Sequence, residues 1–214
     1  MPDRHEALAG NPELPGERMY RRPTTRHRDG FTLVEMLIVI VIIGIVATIA
    51  VPRVNLSRIR SKTAIQTLGT AMLAFQREAI ARQHNMVIMI DQTSRSLRVL
   101  YDSTNDERIN NNERVRMIPL GEEIVFGKPA AVPSRSFGSN AVNFTNTETT
   151  TGLPAIVLYR NGSAKEFGGL YLSTTKAMGG APGHDNETWS MEIVRATGRA
   201  EWLRWNGNGW VRGF

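Results

Sequence analysis

The sequence predicts an α+β fold: one long N-terminal helix, first apolar and then amphipathic, packed on antiparallel β-sheet. Three observations carry this. An almost unbroken apolar run extends from Gly30 to Val51, a helical apolar period follows from Ile65 to Ala79, and from Met86 onward short strand-like stretches alternate with turn signals. A single helix followed only by strands belongs to the α+β class, with the helix laid on the sheet. The 214 residues allow one domain of ordinary size behind the apolar segment. With no cysteine, the fold must close by packing alone, and thiol chemistry and cysteine metal sites are excluded. A net charge of +6 and a pI near 10.2 suit an anionic partner without specifying one.

Residues 1–30 are rich in arginine and proline (Pro2, Pro12, Pro15, Pro23) and poor in apolar residues, which predicts a disordered segment. It holds six arginines against five acidic residues, leaving a net charge of +5 for the rest of the chain. The apolar run contains one carboxylate, Glu35, close to its start. A carboxylate costs about 2.5 kcal/mol or more at the centre of a membrane-spanning helix, so an ionisable group here points to function. From Met36 to Val51 the run is a little shorter than the about twenty residues needed to cross a hydrocarbon core alone. It outlasts the core of most secretory signal peptides, and no small-x-small cleavage site follows it. Arg18, Arg21, Arg22, Arg26 and Arg28 lie closest before the run, and Arg53, Arg58, Arg60 and Lys62 follow it. That balance gives a slight preference for a cytoplasmic N-terminus.

Beyond Pro52 the helix is expected to run to about Gln83. Ile65, Leu68, Met72, Phe75 and Ala79 line one face at steps of three and four, and Arg58, Lys62, Gln66 and Arg77 lie opposite. Met86–Asp91 and Leu97–Asp102 flank a Gln92–Arg95 turn and predict a hairpin. Val115–Leu120 and Glu123–Phe126 read as short strands. Residues 127–152 read as a long loop with one short strand around Val142–Phe144. Asn161-Gly162 predicts a second hairpin, between Ala155–Arg160 and Ala164–Leu172. Gly179–Gly183 marks a loop. Ala196-Thr197-Gly198 joins Trp189–Arg195 to Arg199–Trp205 as a third hairpin.

Gly30-Phe31-Thr32-Leu33-Val34-Glu35, followed by an apolar helix with Gly44 and Pro52, closely resembles the N-terminus of type IV pilins and type II secretion pseudopilins. The resemblance implies a pilin-like fold and cleavage between Gly30 and Phe31 by the prepilin peptidase, which then methylates the new amine of Phe31. It makes Glu35 the carboxylate that pairs with an N-terminal amine during filament assembly. It sets Gly44 and Pro52 at the ends of a stretch that loosens in assembled filaments, in keeping with glycine weakening a helix and proline removing a donor. A buried carboxylate is tolerated only when paired, so a subunit lacking its partner is penalised. The apolar run alone would also fit an ordinary signal anchor, but junction, carboxylate position and length agree together. The hairpin near Tyr159–Phe167 and the terminal hairpin turning at Thr197-Gly198-Arg199 are similar to the GspH/FimT branch of minor pseudopilins and minor pilins.

Near the C-terminus Arg195, Arg199, Arg204 and Arg212 are interleaved with Trp189, Trp202, Trp205 and Trp210. Guanidinium forks grip phosphate and rings stack on bases, so the set suits nucleic acid. FimT-like minor pilins bind DNA through a Gly-Arg-x-Arg element; here the matching stretch is Gly198-Arg199-Ala200-Glu201, with an acid in the second arginine's place. Strand alternation puts Trp189, Met191 and Ile193 on one face, Arg199, Glu201 and Leu203 together, and Trp202 with Arg204. Core tryptophans beside a solvated basic edge is the simpler reading, and Arg199 and Arg204 are the candidate DNA contacts. Asp102, Thr104, Asp106, Asn110 and Glu113 fall at several positions of a calcium loop, but Glu107 replaces its glycine and strands flank it, so a solvated polar loop is expected. His5, His27, His84 and His184 show no metal-ligand spacing. No nucleophile elbow, phosphate loop or metal centre is recognisable; neither an enzyme nor a cofactor is expected.

The organisation expected is a cleaved leader (1–30), a membrane-spanning and filament-core helix (31–52), an amphipathic helix (53–84) and a periplasmic β-rich domain (85–214). The function expected is that of a minor pseudopilin of a type II secretion system, held single-pass in the bacterial inner membrane and assembled near the tip of a filament that drives protein export. Its partners would be the prepilin peptidase, other pseudopilins or pilins, the inner membrane, and exported proteins or DNA. A FimT-like pilin for natural transformation and a minor pilin of an adhesive or motility pilus remain the alternatives.

Overall fold

The computed structural model describes residues 30–50 and 56–214, with side chains for 30–48 and 58–214. The expectations for the leader up to Asp29 and for Pro52 fall outside the described residues. The chain divides into two compact units, residues 1–53 and 54–214.

In the first unit, helix α1 spans Leu33–Ala50 and every described side chain from Gly30 to Thr48 is exposed. The helix has no polar face, because leucine, isoleucine and valine surround it on all sides. Its 18 residues rise about 27 Å at 1.5 Å each, just short of a bilayer's hydrocarbon core. Among the described residues, no helix is long and apolar enough to cross a membrane.

In the second unit, helix α2 spans Leu56–Arg82. The five residues of its expected apolar stripe, Ile65, Leu68, Met72, Phe75 and Ala79, are all buried. They pack on two antiparallel sheets. The first has the order β3-β2-β1-β6, with β1 at Asn85–Asp91, β2 at Ser96–Asp102, β3 at Arg114–Pro119 and β6 at Ala155–Leu158. The second has the order β10-β9-β8-β7-β4, with β4 at Ile124–Phe126, β7 at Gly168–Thr174, β8 at Thr188–Val194, β9 at Arg199–Trp205 and β10 at Trp210–Arg212. The short β5, Val142–Asn143, also pairs with β7.

Alternation sorts β1 between two cores. Met86, Ile88 and Ile90 face α2, while Val87 and Met89 join Leu100, Ala155 and Val157 on the sheet's outer face, under Ile109, Leu153 and Tyr159. A strand covered on both faces reads as a continuous apolar run, as Met86–Ile90 does. The outer face of the second sheet is covered by residues 127–141. There Tyr171, fully buried, donates its hydroxyl to the Gly138 carbonyl (2.7 Å) and accepts the Arg135 N–H (2.6 Å).

The first and third hairpins form in the expected places. The second does not. The Asn161-Gly162 turn closes, with the Gly162 N–H on the Tyr159 carbonyl (2.8 Å) and φ +87° at Gly162, but the strands meet only at the Leu158–Ala164 bridge. Ala164 then donates to the Arg195 carbonyl (2.8 Å), and the chain leaves the first sheet for the second, where the next strand begins at Gly168. The turn signal is local; which sheet receives each strand is decided by which partner covers its apolar face. The short helix α3 (Thr175–Met178), capped by the Thr174 hydroxyl, and β10 were not expected.

Candidate functional site

At the N-terminal junction Gly30, Phe31 and Thr32 precede the helix, and Thr32 caps it. The Thr32 hydroxyl accepts the Glu35 N–H (3.1 Å), and its carbonyl accepts the Met36 N–H (3.2 Å). A threonine cap supplies an acceptor for one of the N–H donors that a helix start leaves unsatisfied. Glu35 thus lies in the first turn, where the helix dipole favours a negative charge. Sequence reading missed Thr32, although Thr-x-x-Glu ahead of an apolar run is the signature of such a start. Phe31 is 73% exposed, so the residue at the expected cleavage point is open to approach.

Further along α1, the Thr48 hydroxyl donates to the Gly44 carbonyl (2.8 Å), which satisfies a polar group within an apolar surface. A β-carbon at Gly44 would meet nothing within 4 Å. Nothing within the described chain therefore requires glycine there. From Phe31 to Val46 the large apolar side chains are all strongly exposed, and water is a poor solvent for such a surface.

At the other end of the chain the aromatic-basic set is split. Trp189, Trp202 and Trp205 are buried, and the half-buried Trp210 donates its indole N–H to the Pro133 carbonyl (3.1 Å). Arg199 and Arg204 lie on opposite faces of β9, about 17 Å apart along the strand. Arg204 sits 6.0 Å over the Trp189 ring, whereas Arg199 is exposed beside a groove between α2 and β9. The structure therefore brings neither the two arginines nor free ring faces to one surface.

Asp102, Asp106 and Glu113 do converge, with ligand atoms within 4.8 Å of one another. The loop is more organised than a solvated one. Asp102, fully buried, accepts the N–H groups of Asp106 (3.1 Å) and Glu107 (2.9 Å), and Glu113 accepts those of Thr104 (3.1 Å) and Asn110 (3.3 Å). Asp106 is held below the usual carboxylate range, first by the Asn110 side-chain amide and then by the Arg108 N–H. These carboxylates already act as anchors for the loop's own backbone.

Residues 25–51 match the family described as the prokaryotic N-terminal methylation motif. Two solved structures of the minor pseudopilin EpsH from the type 2 secretion system of Vibrio cholerae align with 68% of this chain and 97% of theirs. They do so at 17% and 16% identity, with TM-scores of 0.44 and 0.41. No curated protein matches the chain. With its capped junction, first-turn carboxylate and apolar helix inside the matched stretch, the chain carries the prokaryotic N-terminal methylation motif at its residues 25–51.

Proposed function

We propose that this chain is a minor pseudopilin of the GspH/FimT kind, cut between Gly30 and Phe31 by prepilin peptidase, methylated at Phe31 and assembled through α1 into a short envelope filament that drives protein export. The observation that carries it is a helix apolar on every side and exposed along its described side chains, opened by one carboxylate. Such a surface needs either lipid or like helices around it. Before assembly it lies in the inner membrane, with residues 85–214 in the periplasm; afterwards neighbouring helices replace the lipid. Glu35 is tolerated in that core when a neighbouring subunit's Phe31 amine pairs with it, which makes the correct stagger the favoured one. Gly44 and Pro52 soften the helix between, and the globular unit has no part in bond chemistry.

Gly30→Ala should block processing, so that membrane-extracted protein keeps its leader. Glu35→Ala should be cut normally but should be lost from the filament fraction. N-terminal sequencing of protein expressed with the peptidase decides the first; a wild-type chain beginning at Met1 would refute the proposal. Cross-linking into sheared filaments decides the second.

A further inference from the structure

β3 is the edge strand of the first sheet, and no described residue pairs with its outer side. The Leu120 N–H turns inward to the Arg95 carbonyl (2.9 Å). Peptide groups alternate in direction along a strand, so those of Ile118, Arg116 and Arg114 face β2 and those of Met117 and Val115 face outward. Pro119 shares the outward phase, where its missing donor costs no ladder bond. The outward N–H and carbonyl groups of Val115 and Met117 form no hydrogen bond with any described residue.

The strand's two faces differ in character. Val115 (41% exposed) and Met117 (56%) make an apolar pair on one face. Arg114 and Arg116 are exposed on the other, with Arg114 stacked 5.6 Å over the Tyr101 ring. Neighbouring acids are engaged elsewhere: Glu113 is bound within its own loop, and Asp91 pairs with Arg98 (2.5 Å).

We propose that the β3 edge docks an extended segment of a different protein in which acidic residues alternate with apolar ones. Such a segment adds a strand through the outward groups of Val115 and Met117, sets its acids across from Arg114 and Arg116, and lays its apolar residues beside Val115 and Met117. A second copy fits poorly. Antiparallel pairing of two β3 edges about a twofold axis at Val115 or Arg116 sets the arginines of one copy against those of the other, and like charges directly opposite destabilise a sheet, while an axis at Met117 brings the donorless Pro119 into the ladder.

The test uses the full-length chain in detergent micelles and a fluorescein-labelled Thr-Glu-Val-Glu-Val-Thr peptide, followed by anisotropy at low salt. Saturable binding is expected, about tenfold weaker for the peptide with lysine in place of glutamate. N-methylation of the peptide's ladder-facing amides should abolish it. Arg116→Glu, which leaves Arg114 facing it as the remaining cation, should erase the preference between the two peptides, and Met117→Pro, which removes one outward donor, should weaken binding about fivefold. Absence of binding, equal binding of both peptides, or binding that survives N-methylation would overturn the proposal. So would a dimer in sedimentation that Met117→Pro dissolves, because the edge would then belong to a second copy.

Discussion

A β-carbon added at Gly198 would lie 2.4 Å from the Gly162 carbonyl oxygen, and the backbone there has φ +62°. Both the left-handed conformation and the close approach of two turns require glycine. Gln76 of α2 reinforces the same spot, since its side-chain amide donates to the Thr197 carbonyl and to the Gly162 carbonyl (3.4 Å). Gly198→Ala should therefore lower unfolding stability by about 2 kcal/mol or more, read from the urea midpoint of the detergent-solubilised chain. Gly44 presents the contrary case, with open space around its missing side chain. Gly44→Ala should leave that midpoint unchanged and raise helicity slightly, because alanine is the better helix former by about 1 kcal/mol. A large drop for Gly44→Ala would mean that the glycine serves this chain's own fold, and would remove the reason to seek its role in softness or in contacts between subunits.

The amphipathic helix and the terminal hairpin show what periodicity can and cannot reveal. In α2 the spacing of Ile65, Leu68, Met72, Phe75 and Ala79 identified the buried face residue by residue, because a helix against a sheet has one face to bury. Phe75→Ala should cost about 3 kcal/mol or more of stability by opening that core. In β9 alternation already separated Arg199 from Arg204, but depth was not legible: three of the four tryptophans are core residues. The double substitution Arg199→Ala/Arg204→Ala should accordingly leave salt-dependent binding of double-stranded DNA unchanged. A collapse of binding would revive the DNA-uptake alternative. The methylation motif matched at residues 25–51 was readable because it is a local pattern, and the Thr32 cap was equally local and was overlooked. The failed second hairpin was not readable in that way. Asn161-Gly162 specifies a turn, whereas the departure after Ala164 depends on Arg195, more than thirty residues away. β10 is short, and its seat on Leu203–Trp205 is likewise a tertiary matter.

For the globular unit as a whole, the absence of cysteine means that side-chain acceptors must hold the loops over the outer sheet faces. Asp91 fastens the first hairpin turn, Asp102 fastens the loop after β2, and Glu148 fastens the segment leading to β6. Burial works to raise the Glu148 carboxyl. The Thr150 N–H (2.9 Å), the Thr151 hydroxyl (2.8 Å) and the Thr151 N–H (2.7 Å) outweigh it and hold the group below its ordinary range. The Ser94 N–H (2.9 Å) is the largest influence lowering Asp91, with its side-chain hydroxyl and Arg98 adding to it. A folded value below the unfolded one contributes stability that is complete above the ordinary carboxylate range and disappears as pH falls through the depressed value. The fold should therefore be stable at neutral pH and should loosen below about pH 4, loops first. Glu148→Gln presents an amide to donors that need an acceptor, and should cost about 1–3 kcal/mol at pH 7. In urea titrations at pH 7 and pH 3 the gap between wild type and variant should shrink at the lower pH, because protonation removes from the wild type what the substitution has already removed. A gap of equal size at both values would show that Glu148 acts through packing rather than through its charge.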